Sequence, residues 1–246
     1  MSKVSFENYG RLAREVKDST LASQRYPVQN EAIKRIVPDI VAKLTIGSKD
    51  RLLEIGCGVC VLLVPLSALV VEAVGVDHPD CVLRVRQGSP PVNLELVAGN
   101  FFDLKVEDIC RHGRFNKILC YSVLHYLSDE DEVFRFIEKA VSLLAPGGRA
   151  LFGDIPNVSR KERFLRSEEG ARFEREWRRQ VQDAAPNGSS NLVLDSDSAL
   201  VKFDDALVLE VCRRLRDQGF EAYILPQSPD LPFGNTREDI LIVKLR

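Results

Sequence analysis

The sequence predicts an α/β fold, a mostly parallel sheet covered by helices on both faces. Three observations lead there. Short apolar runs alternate with helical stretches across residues 51–155. The first run, Arg51-Leu-Leu-Glu-Ile55, carries an acid near its end and breaks into Gly56-Cys-Gly58. The next run ends on a second acid, Asp77. Strands alternating with helices imply parallel pairing, because each crossover must pass over a face of the sheet. A glycine pair after the first strand leaves room for a ligand at the carboxyl ends of the strands.

The elements follow in order. Residues 1–45 read as helical. Tyr9–Gln24 is polar with spaced Leu and Val, and Ala32, Ile33, Ile36, Val37, Ile40, Val41 and Leu44 recur at helical spacing. Pro38 marks a kink or the early turn of a new helix. This segment is expected to cap one edge of the sheet. Arg51–Ile55 is strand-like, Cys60–Leu69 helical despite Pro65, and Val71–Val76 and Leu94–Ala98 strand-like. Lys117–Tyr121 is a strand, and Glu130–Leu144 a helix with Val133, Phe136, Ile137, Ala140, Val141 and Leu144 inward. Pro146-Gly-Gly148 stops that helix, and Arg149–Ile155 is a fifth strand.

Residues 156–200 break the rhythm with a charged helical stretch, Ser159–Gln180, and a polar loop, Ala184–Ser198. Helix resumes at Asp204–Gln218 and stops at Gly219; Glu221–Leu225 and Asp239–Leu245 are the last two strands. The chain therefore reads as one domain, 1–246, with an N-terminal helical cap, 1–48, and a lid-like insert, 156–203, over the strand ends.

Composition sets outer bounds. The 34 basic and 36 acidic side chains nearly cancel, so bulk charge does not predict nucleic-acid binding. No apolar run approaches the roughly 20 residues needed to cross a bilayer, and the N-terminus lacks the apolar centre of a signal peptide. A cytoplasmic protein is expected. The six cysteines are scattered, which suits reduced, buried thiols. Cys57-Gly-Val-Cys60 spells C-x-x-C, but no partner pair or histidine follows at ligand spacing, so no metal is expected.

The glycine loop and its two acids carry the chemistry. A carboxylate at Asp77 is placed to accept both hydroxyls of a ribose. The dinucleotide fingerprint G-x-G-x-x-G would need glycine where Val61 stands. Glu54 beside the loop would repel a pyrophosphate and attract a cation. S-adenosylmethionine carries an ammonium and a sulfonium and no phosphate, so electrostatics favours it.

On these residues the chain resembles the class I S-adenosylmethionine-dependent methyltransferases, well over residues 50–155 and loosely elsewhere. The first motif matches Glu54-Ile-Gly-Cys-Gly58, and the ribose acid matches Asp77 with His78 flanking the adenine. The adenine-edge pair matches Asn100 and Phe101, the segment after the fourth strand matches Cys120–His125, and the turn before the fifth matches Pro146-Gly-Gly148. Cys60 stands where the family often has a third glycine, and Asn100 where it often has aspartate. The resemblance implies a three-layer, Rossmann-like sheet of seven strands with the last antiparallel. It implies cofactor contacts from Glu54, Gly56, Cys57, Gly58, Asp77, His78, Asn100, Phe101 and Tyr121, with S-adenosylhomocysteine as product.

The acceptor side is read from the strand ends. Methyl transfer to a hydroxyl benefits from a base. His125 follows the fourth strand and Asp154 ends the fifth; Asn157 is placed to hydrogen-bond an acceptor. The arginines of the insert, from Arg160 to Arg179, suit an anionic small molecule or form a solvated face with pairs such as Glu162–Arg166 and Glu174–Arg178. Gly153-Asp-Ile-Pro-Asn157 and Leu231-Pro-Phe-Gly-Asn-Thr-Arg-Glu-Asp-Ile-Leu241 are similar to bacterial methyltransferases of surface-polysaccharide biosynthesis. That resemblance implies a sugar, nucleotide sugar or phosphorylated building block as acceptor. An RNA or protein methyltransferase, or a non-catalytic S-adenosylmethionine-binding module, are the alternatives.

Overall fold

The computed structural model describes residues 3–22, 30–184 and 200–246. Seven strands form one sheet: β1 (Arg51–Ile55), β2 (Glu72–Asp77), β3 (Leu94–Ala98), β4 (Phe115–Tyr121), β5 (Leu144–Pro156), β6 (Phe220–Pro226) and β7 (Arg237–Lys244). Their order is β3-β2-β1-β4-β5-β7-β6. The first five pair in parallel, and β7 runs antiparallel to both β5 and β6. Strand order reverses between β1 and β4, and an open α/β sheet binds its ligand at such a reversal.

Alternation along each strand splits the core into two layers. Leu53, Ile55, Val74, Val76, Ile118 and Phe152 face one side, packed with Phe136, Ile137 and Val141 of helix Glu130–Ser142 and Val208 and Val211 of helix Asp205–Asp217. Leu52, Ala73, Leu119 and Leu151 face the other. There Ile36, Ile40 and Leu44 of helix Ile36–Leu44 pack, with Leu63 and Leu66 of helix Leu63–Ser67 and Val82 of helix Pro79–Gln87. Pro38 falls in the first turn of its helix, where its missing N–H costs nothing.

Several elements differ from expectation. The run expected to be helical from Cys60 begins only at Leu63, because the loop before it closes a turn, Cys60 N donating to Cys57 O at 2.8 Å. Pro146–Gly148 lies inside β5, at a register shift opposite Phe115–Lys117, while the preceding helix already ends at Ser142. The charged stretch is two helices, Val158–Leu165 and Glu168–Ala184, and Ser167 Oγ accepts from Gly170 N at 3.0 Å between them.

Within the segment expected to cap an edge, helix Ile36–Leu44 packs on a face of the sheet, among Leu52, Leu119 and Leu151. Helix Lys3–Glu15 packs on helix Pro79–Gln87, with Arg14 paired to Asp80 and Arg84 donating to Ala13 O at 3.2 Å. The insert leaves and returns at one point: Asn157 bridges Phe203, and Val158 N donates to Phe203 O at 2.9 Å. Trp177 of the insert packs edge-on against Phe233, centroids 4.8 Å apart. Most of the expected loop Ala184–Ser198 lies outside the described residues. Among the described residues no helix is long and apolar enough to cross a membrane.

Candidate active site

β1 ends in a bend that glycine makes possible. Gly56 and Gly58 take φ of 78° and 53°, a region that side chains disfavour. Gly56 N donates to Val76 O at 2.9 Å, tying the loop to β2. A Cβ at Gly56 would stand 2.5 Å from Val123, whereas a Cβ at Gly58 would enter open space with nothing within 4 Å. Cys60 adopts φ 60° without being glycine, at a cost of about 1–2 kcal/mol.

Asp77 closes the loop from β2. Its Oδ2 accepts from Gly58 N and its Oδ1 from His78 N, both at 2.6 Å. Burial pushes its carboxyl above the usual range, and the two amides pull it back. Glu54, only 2% exposed, lies at the adjacent strand end. Around these acids lie two adjoining cavities that share Gly56, Asp77 and Val123. The first is lined by Glu54, Cys57, Gly58, Tyr121 and Ser122, with Tyr9 of the N-terminal helix. The second is lined by Gly99, Asn100, Phe101 and Phe136, with Phe6 of that helix.

Eight of the nine residues expected at the cofactor therefore line this cleft; His78 does not. Its Nδ1 accepts from Asp80 N at 3.1 Å, capping helix Pro79–Gln87. Its ring lies 4.6 Å from that of Phe6 and close against Gly10. Asn100 turns its Oδ1 onto Phe102 N at 3.1 Å, shaping its own loop.

Beside the cleft, Ser122 directly follows β4 and Asp154 lies two residues before the end of β5, with φ of 60° each. Two non-glycine residues held left-handed side by side mark a strained place, of the kind that clusters at functional sites. Ser122 Oγ donates to Asp154 Oδ2. Arg237 Nη1 lies 2.9 Å from the same carboxylate and donates to Asp154 O at 3.1 Å. Behind them Asp239, fully buried, accepts from Asp154 N at 2.9 Å, Gln227 Nε2 at 2.9 Å and Lys43 Nζ at 2.6 Å. Gln227 also donates to Tyr121 Oη at 3.2 Å, so this buried network reaches the cavity wall.

His125 is drawn away from the cleft. It is buried in the turn Leu124–Tyr126 and lines neither cavity. Its Nδ1 has no hydrogen-bond partner among the described residues. Burial, helped by the charge of Arg237, pushes its pKa down to about 3, so the ring is neutral at pH 7. Asn157 is occupied too: it donates to Asp205 and Glu238 at 2.9 Å each and accepts from Arg160 N at 3.0 Å, capping the insert's first helix. Both amide hydrogens are spent within the protein, which leaves none for an acceptor.

The "Methyltransferase domain" family profile matches residues 24–203, most of the chain. The chain belongs to this methyltransferase family. No curated protein matches its sequence. Solved structures share the fold of this methyltransferase at low identity. NodS, an N-methyltransferase from Bradyrhizobium japonicum WM9 in complex with S-adenosylhomocysteine, has a TM-score of 0.59 at 16% identity, covering 97% of this chain and 99% of its own. Magnesium protoporphyrin IX methyltransferase from Synechocystis PCC 6803, also with S-adenosylhomocysteine, has 0.57 at 15%, covering 98% and 95%. DhpI in complex with SAM and HEP has 0.61 at 17%, covering 97% and 95%.

Most arginines of the methyltransferase's insert are paired. Arg166 meets Glu162 at 3.6 Å and Arg178 meets Glu174 at 2.7 Å, the two pairs expected from spacing. Arg160 meets Glu238 at 3.4 Å, Arg163 meets Asp205, and Arg179 meets Glu176 at 2.9 Å. The C-x-x-C cysteines are both buried, and the hydrogen bond with Cys60, then burial and the nearby acids, push the Cys57 thiol well up. The group at metal-ligand spacing among the described residues is instead Glu72, Glu95 and His112, at the opposite ends of the strands. Both of its carboxylates are paired, Glu72 with Arg51 at 2.6 Å and Glu95 with Arg111 at 2.8 Å.

Proposed function

We propose that this methyltransferase transfers the methyl group of S-adenosylmethionine to an oxygen of a small acceptor, leaving S-adenosylhomocysteine. The acceptor class we favour is a sugar, nucleotide sugar or phosphorylated building block of surface-polysaccharide biosynthesis. The observation that carries the cofactor half is the bend itself. Open space at Gly58 adjoins a buried carboxylate, Asp77, and a second acid, Glu54. That space and those charges fit a cationic nucleoside and not a pyrophosphate.

Asp77 would hold the ribose diol, and Glu54 would attract the ammonium. Asn100 and Phe101 would border the adenine, and Cys57 and Tyr121 the remaining walls. Bound there, S-adenosylmethionine supplies a sulfonium-activated methyl group with a good leaving group. The protein's own part is to align the acceptor and exclude water.

For the base we favour Asp154, approached through Ser122. Ser122 lines the cavity and donates to Asp154, and Arg237 keeps that carboxylate in place. A proton leaving an acceptor hydroxyl would pass to this pair. His125 lies off the cleft and is the weaker candidate. The insert helices Val158–Leu165 and Glu168–Ala184 read as a lid over this end, and Arg172 and Arg175 are the arginines left for an anionic acceptor. A small acceptor accords with a relative named for magnesium protoporphyrin IX.

The test incubates the purified protein with S-adenosylmethionine and a panel of nucleotide sugars and sugar phosphates, read by mass spectrometry. One panel member gaining a methyl group supports the reading. Methyl transfer only to RNA or protein, weakening steeply with salt, would overturn the acceptor class.

A further inference from the structure

Lys139 stands on helix Glu130–Ser142 and reaches across to the loop that follows β3. Its Nζ donates to Phe101 O at 2.6 Å, Phe102 O at 3.0 Å and Leu104 O at 2.7 Å. An ammonium has three donors, and all three go to this one loop. The same Nζ lies 4.9 Å from the centre of the Phe101 ring, within cation–π range. That ring packs 5.0 Å from Phe136. The loop therefore folds around a single charge, with Asn100 closing it from the other side through Phe102 N. Gly99, Asn100 and Phe101 of this loop line the second cavity; Lys139 does not.

A loop without regular structure has few backbone bonds to fix its shape. Here three carbonyls converge on one nitrogen, which supplies three donors at a single point, and its charge makes each bond about twice as strong as a neutral one. Burial pushes the Lys139 ammonium down and Asp103 opposes that, as expected for a charge held partly out of water. The sequence shows no sign of the arrangement, because Lys139 lies 35 positions from Leu104.

We propose that Lys139 is a positioning residue for the adenine side of the cofactor site, holding Asn100 and Phe101 in binding shape before the cofactor arrives. The proposal rests on the S-adenosylmethionine reading given above. Lys139→Met keeps most of the side chain's length and removes the charge; Lys139→Arg keeps the charge but cannot bring three donors to one point.

The experiment titrates S-adenosylhomocysteine into wild type and both variants by calorimetry. Amide hydrogen exchange is followed on the same proteins without ligand. Lys139→Met is expected to weaken binding at least about tenfold, with Lys139→Arg in between. Exchange should quicken at residues 99–104 and stay unchanged at residues 56–60. Unchanged affinity in Lys139→Met would overturn the proposal, as would faster exchange spread evenly through the sheet. If wild type itself takes up no S-adenosylhomocysteine, the cofactor reading fails. The exchange arm then still decides whether Lys139 holds the loop.

Discussion

His125 links the acceptor end of the sheet to the stability of the whole protein. In the unfolded chain its ring titrates at about 6.5, and in the fold burial pushes it down to about 3. A depressed pKa means that the unfolded state takes up the proton first. The contribution of the neutral ring is therefore complete above pH ~6.5 and falls away as pH drops towards ~3. At pH 5 the unfolded ring would be ~97% protonated and the folded ring ~1%, a loss of about 2 kcal/mol. Other groups titrate over the same range, so the informative quantity is a difference between two proteins. His125→Leu fills similar space and does not titrate. Urea denaturation at pH 7.5 and pH 5 is expected to show wild type losing about 2 kcal/mol more than His125→Leu over that interval. Equal losses in the two proteins would refute the argument, and so would a larger loss in the variant.

Three further outcomes are expected. Asp77→Asn should weaken S-adenosylhomocysteine binding by roughly 10- to 100-fold, the worth of hydrogen bonds to a charged group. Because burial raises the Asp77 carboxyl, wild-type affinity should begin to fall on acidification above the usual carboxylate range, measured by calorimetry across pH. Asp239→Ala leaves Lys43 its second partner, Asp39, but removes the buried acceptor of Asp154 N and Gln227 Nε2, and should cost about 1–3 kcal/mol in urea unfolding. With a methylated acceptor in hand, Asp154→Asn should lower turnover by roughly 10²–10⁴-fold while leaving S-adenosylhomocysteine affinity near wild type; a turnover loss matched by lost cofactor affinity would count against its role as base.

The sheet was legible because its signals are local. Each strand is a short apolar run, and the glycine bend follows directly on β1. The cleft was legible for the same reason: Glu54, Asp77, Asn100 and Phe101, which line its two cavities, each sit at or just past a strand end, where chain order alone places them. What escaped was long-range. Nothing near Asp154 in sequence announces Ser122, Arg237 or Asp239, which meet it only through β4 and β7. His78 reads as a ligand residue by position, yet with Pro79 after it, it also spells a helix cap, and the cap is what forms. Asn157 likewise opens a helix, and that local bond takes the side chain. The polar N-terminal helix gave no sign of which elements it would meet, so the placing of Tyr9 and Phe6 on the walls of the cleft was not legible.

Calorimetric titration of S-adenosylhomocysteine into the purified chain probes the cradle at Gly58 most directly. Wild type should bind one molecule per chain. Gly58→Val, whose branched side chain would enter the open space at φ 53°, should bind none while remaining folded. Silence from wild type, or equal heat from the valine variant, would mean that the bend at β1 holds no cofactor.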